Sequence, residues 1–116
     1  MTDRFSITDH IDRSVVRITF VGELDRAAVT AFEDHLAKWL DEPDVLWVVL
    51  DLAGTTFIDS LGLDAIIRAQ RQSIDVGKIF GVAGASGEVA RVFELTGLAT
   101  VLSLPEDTVA KPDIAS

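Results

Sequence analysis

The stretch Val45–Leu63, VLWVVLDLAGTTFIDSLGL, decides the architecture of this chain. Its first part, Val45–Leu50, is an unbroken apolar run rich in Val and carrying Trp47. A run without alternation is the pattern of a parallel strand buried on both faces, where neither row of side chains meets water. Asp51 is read as the end of that strand, Ala53–Asp59 as a loop, and Ser60 as the start of a helix running to about Asp75. Strand, loop and helix in that order put Ser60 at the carboxyl edge of a sheet, the edge at which open α/β folds carry their working residues.

Upstream of this stretch, Arg4–Thr8 and Ser14–Gly22 read as two strands, and the linker Asp9–Arg13 is short enough to make them an antiparallel hairpin. In the second strand Val16, Ile18 and Phe20 alternate with Arg17 and Thr19, the period of a strand with one buried face. Asp25 suits the N-cap of a helix to about Leu40, whose apolar stripe is Val29, Phe32, Leu36, Trp39 and Leu40. Glu42-Pro43 closes it, because proline disfavours helical geometry in the residue before it.

Downstream, Leu63, Ile66, Ile67 and Ile74 are expected to face inward from the second helix, with Asp64 and Arg68 spaced for a surface ion pair. Gly77 fits the helix end, Lys78–Ala83 a further strand, and Gly84–Gly87 a turn. A third helix over about Glu88 to Thr96 buries Val89, Val92 and Phe93 and precedes a last short strand near Thr100–Leu104. The expected organisation is one domain over residues 1–104 and an acidic, Pro-containing tail over 105–116. The fold class predicted is α/β, a single mixed β-sheet of an N-terminal hairpin plus parallel, right-handed crossovers, packed with helices.

Composition narrows the chemistry. A chain of 116 residues with 48% hydrophobic content buries a core without disulfides or metal. It has no cysteine, which removes disulfides, thiol catalysis and thiolate metal sites. The start MTDRFSITD lacks the positive charge and apolar segment of a secretory signal, and no run is long enough to span a bilayer, so a cytoplasmic protein without membrane insertion is expected. A net charge of −9 disfavours nucleic acid and anionic lipid and favours a basic partner surface.

Several loop chemistries compete. Ile58-Asp59-Ser60-Leu61-Gly62 differs from the G-x-S-x-G nucleophile elbow at its first position, and both histidines, His10 and His35, precede Ser60 and read as surface residues, so a serine hydrolase triad is not assembled. Asp51 is a candidate aspartyl phosphoacceptor of receiver type, but the magnesium such chemistry needs would require an acidic pair that Phe20-Val21-Gly22 does not supply. Gly81, Gly84 and Gly87 lack the spacing of a phosphate cradle and read as a turn before a helix. Ser60 itself has the type and place of a helix cap.

Three blocks then agree in order and spacing. Phe57-Ile58-Asp59-Ser60-Leu61-Gly62-Leu63 resembles the signature of the STAS family, the sulphate-transporter and anti-sigma factor antagonist domains, in which D-S-S-G or D-S-T-G opens the same helix. Gly22-Glu23-Leu24-Asp25 resembles the family's G-E-L-D, and Val92-Phe93-Glu94-Leu95-Thr96-Gly97-Leu98 its third-helix ending. The resemblance implies an anti-sigma factor antagonist, a binding module and not an enzyme, with no cofactor or metal. Its implied partners are an anti-sigma factor that is also a serine kinase, and a phosphatase. It implies Ser60 as phosphoacceptor, with Asp25, Asp59, Leu61, Gly62 and Asp64 on the partner-binding surface. Leu61 stands where the family usually has a second serine or threonine. Two alternatives stay open: a non-phosphorylated STAS adaptor in a lipid-transport or stress-sensing complex, and the receiver-like use of Asp51.

Overall fold

The alternation in the second strand becomes the floor of the core. In a computed structural model of the chain, which describes residues 5–96, Val16, Ile18 and Phe20 are wholly buried while Arg17 and Thr19 face the other way. The element order is β1 (Phe5–Asp12), β2 (Val15–Leu24), α1 (Arg26–Leu40), β3 (Trp47–Ile58), α2 (Ser60–Asp75), β4 (Ile79–Ala83) and α3 (Gly87–Thr96). The sheet order is β1-β2-β3-β4, with β1 antiparallel to β2 and the other two pairs parallel. This is the mixed sheet expected from the sequence. The strand expected at Thr100–Leu104 and the tail lie outside the described residues.

One apolar cluster holds the layers together. It joins Val16, Ile18 and Phe20 of β2, Val48, Leu50 and Leu52 of β3, and Phe80 and Val82 of β4 to Phe32 and Leu36 of α1, Ile66 of α2, and Val89 and Phe93 of α3. Ile74 departs from expectation, being 64% exposed. The inward stripe of α2 runs through Gly62, Ala65, Ile66, Ala69 and Ser73, and Ile74 lies one step round the helix from it. Ser73 takes the buried place because its hydroxyl donates to the Ala69 carbonyl at 2.7 Å.

Boundaries also differ: β2 runs on to Leu24 past the expected Gly22, and β3 begins at Trp47 and not at Val45. Asp9 to Asp12 are strand, paired with Ile18 to Val15, and the hairpin turns at Arg13, which takes a left-handed φ of 58°. Asp9 is held in the strand by α1: its carboxylate accepts from Trp39 Nε1 at 2.8 Å and lies 2.9 Å from His35 Nδ1. His35 is therefore a half-buried partner of β1, not an unattached surface residue.

The larger correction is β3, which does not stop at Asp51 but continues to Ile58. Asp51 is tolerated inside the sheet because Arg17 Nε on the neighbouring strand donates to it at 3.0 Å. Beyond it, Gly54 pairs with Val21 and Thr55 with Gly22, with register shifts on either side, so the supposed loop is a bulged strand. Gly54 permits this, since a Cβ there would lie 2.9 Å from Val21 Cγ2. The buried Thr55 hydroxyl donates to the Phe20 carbonyl at 2.8 Å and fixes the shifted register.

Candidate functional site

The extra length of β3 is what builds the site. Leu24 at the end of β2 pairs with Ile58 at the end of β3, so the helices that follow begin side by side at one edge of the sheet. Each begins with an aspartate. Asp25 caps α1, its carboxylate accepting from the amides of Ala27 at 3.1 Å and Ala28 at 3.3 Å. Asp59 caps α2, accepting from the Gly62 amide at 2.8 Å. These two caps satisfy first-turn donors that have no intrahelical acceptor.

Ser60 is accordingly not the cap. It is the first residue of α2, with an exposed side chain, while the capping contact expected of it belongs to Asp59. Gly62 explains how close the two helix starts come: a Cβ there would overlap the Leu24 carbonyl oxygen and press on the Leu24 and Ile58 side chains. The same carbonyl accepts from the Asp59 amide at 3.4 Å. Asp25 and Asp59 share an open depression whose other lining residues are Arg26, Ala27 and Thr30.

The structure thus gathers Asp25, Asp59, Ser60, Leu61 and Gly62 at one pole. Asp64 is set apart, further along the exposed side of α2, where Arg68 four residues on pairs with it as expected from the spacing. Arg68 also donates to Glu33 Oε2 of α1 at 2.7 Å, a link between helices that spacing within one helix does not reveal. The Glu33 hydrogen bond is the chief reason that the guanidinium is held above its ordinary pKa; burial opposes, and the charges of Asp64 and Glu33 add to the rise. Phe57, at the end of β3 and 48% exposed, belongs to this pole and was not singled out by its sequence pattern.

Asp51 lies outside it. It sits inside β3, with Arg17 on one oxygen and the Ala53 amide donating at 2.9 Å to the other, the contacts of a bracing residue. Among the described residues no group of three or more His, Asp or Glu side chains is placed to hold a metal ion, and no helix is long and apolar enough to cross a membrane.

The model of the STAS domain matches residues 6–111. The chain belongs to the STAS domain family. Among solved structures, this STAS domain is similar to the anti-sigma factor antagonist SpoIIAA in its unphosphorylated form, with a TM-score of 0.78 and 20% identity over 96% of this chain and 98% of that one. The phosphorylated form of the Bacillus protein matches with a TM-score of 0.71 at 20% identity, covering 92% of this chain and 98% of that one. An anti-sigma factor antagonist from Mycobacterium paratuberculosis matches with a TM-score of 0.78, again at 20% identity, over 93% of this chain and 92% of that one. A murine anion transporter of the solute carrier 26 family matches with a TM-score of 0.69 and 18% identity; 87% of this chain covers 18% of that one. At these identities the likeness is one of fold.

Proposed function

We propose that this STAS domain is an anti-sigma factor antagonist switched at Ser60. Unphosphorylated, it binds an anti-sigma factor that is also a serine kinase and so frees a sigma factor; phosphorylated, it lets go until a phosphatase restores it. The observation that carries the proposal is the division of labour at the start of α2. Asp59 makes the capping contact, which leaves an exposed hydroxyl one residue later with no structural task assigned to it.

Chemistry then separates effects on the fold from effects on binding. A phosphate on Ser60 brings about −1.5 to −2 charges to a helix amino terminus, where the dipole favours an anion. The fold keeps its cap and its core. A partner surface matched to a neutral hydroxyl must instead desolvate a dianion beside the carboxylates of Asp59 and Asp25, and loses affinity. Asp25, Asp59, Leu61 and Asp64 contribute to the face on which the partner sits in this account, while Gly62, expected on that face, is buried against Leu24 and holds the helix start beneath it.

The transporter likeness favours a second reading, a STAS adaptor within a larger assembly with no phosphorylation step. Binding assays with Ser60→Ala and Ser60→Asp variants separate the two. The switch predicts one partner that is retained by Ala and lost with Asp; equal capture by both variants contradicts it and leaves the adaptor.

A further inference from the structure

Leu61 is the residue of the helix start that neither the cap nor the phosphoacceptor role explains. It is 48% exposed, directly after Ser60, and Phe57, three residues before Ser60, is also 48% exposed. The geometry of α2 fixes the outward aim of Leu61. Gly62 and Ala65 are pressed against the sheet, so Leu61 shares the solvent side with Asp64 and Arg68, at spacings of three and four residues. Two carboxylates, Asp25 and Asp59, lie at this pole beside the cation Arg26, while Asp64, further along α2, is engaged with Arg68.

We propose that Leu61 is the specificity-determining anchor of the docking face. Its partner is a serine kinase surface with an apolar pocket for the leucine side chain and Arg or Lys at the pocket rim, complementary to the Asp25 and Asp59 carboxylates and to the net charge of −9. This rests on the proposed function and adds the chemistry of the partner. A pocket shaped for serine or threonine carries a polar group that Leu61 would leave unpaired, and an apolar pocket gains nothing from a hydroxyl. One side chain therefore selects for one kinase and against others. The position also serves the switch, because a phosphate on the preceding residue holds water around a leucine that must be dehydrated to bind.

The test uses the full chain and a panel of purified anti-sigma factor kinases from the same organism, with dissociation constants measured by titration calorimetry. The kinase that binds the wild-type chain is expected to bind Leu61→Ser about tenfold more weakly, the size of one anchor residue, and Leu61→Met within about threefold. Thermal melting of both variants is expected to match wild type, since the side chain lies at the surface. A loss below about threefold for Leu61→Ser overturns the anchor while leaving the switch intact. So does a Leu61→Met loss equal to that of Leu61→Ser. If no kinase in the panel binds the wild-type chain, the proposed function falls and the anchor with it.

Discussion

At the scale of single residues, the helix start divides into positions that hold the fold and positions that the proposed function leaves to a partner. Gly62 belongs to the first kind. Gly62→Ala would force α2 away from the Leu24 carbonyl, and we expect a loss of about 1–3 kcal/mol in chemical denaturation. Asp59→Ala should cost about 1 kcal/mol by removing the cap from the Gly62 amide, and Asp59→Asn less. Ser60→Ala should change stability by no more than about 0.5 kcal/mol, because its exposed hydroxyl does not cap. A Ser60→Ala loss as large as that of Asp59→Ala would mean that the capping role had been assigned to the wrong residue. Sequence pattern left these two neighbours indistinguishable, since Asp and Ser are both good caps; only the position of the carboxylate relative to the Gly62 amide separates them.

At the scale of elements, β3 shows what periodicity conveys and where it stops. The run Val45–Leu50 announced the buried strand, because apolar side chains on both faces leave their mark in the composition itself. It overran the start, however: β3 begins at Trp47, and Leu46 is 52% exposed. The continuation through Asp51, Gly54 and Thr55 carries no such mark. Those residues belong in the sheet only because Arg17 neutralises one, Val21 covers another and Phe20 accepts from the third, and all three partners sit on a different strand. The same holds for Asp9, which resembles a turn residue until His35 and Trp39 of α1 reach it. Thr55→Val is expected to lower stability by about 1 kcal/mol by leaving the Phe20 carbonyl without its donor, and amide exchange should show the far half of β3 opening more readily. Between the helices, Arg68 ties Glu33 to Asp64. Its pKa is raised, so its contribution is fully present below the ordinary arginine value and is lost only as strong alkali deprotonates it. Neutral-range pH should leave that charge alone, whereas salt should not: the stability difference between wild type and Arg68→Gln should shrink as ionic strength rises.

At the scale of the whole molecule, β2, of 10 residues, and β3, of 12, end in register at Leu24 and Ile58 because the register shifts absorb the difference, and so deliver two capped helices to one edge. The order of elements was visible in sequence because hairpin, alternation, helical stripes and glycine stops each leave a local signature. Assembly of the site was visible only through resemblance, since the Gly22–Asp25 and Asp59–Gly62 blocks are distant in the chain and meet through the register of β2 with β3. The acidic surface, with a net charge of −9, should speed association with a basic partner, and the association rate should fall as salt is added. The fold itself should not respond to the switch: Ser60→Asp is expected to melt within a few degrees of wild type while partner binding is lost. The most direct measurement of the central claim is phosphosite mapping by mass spectrometry after incubation of the chain with ATP and the kinase that binds it. The account predicts one phosphate on Ser60 and none on Ser60→Ala; equal incorporation into Ser60→Ala, or a phosphate mapped to another residue, would contradict it.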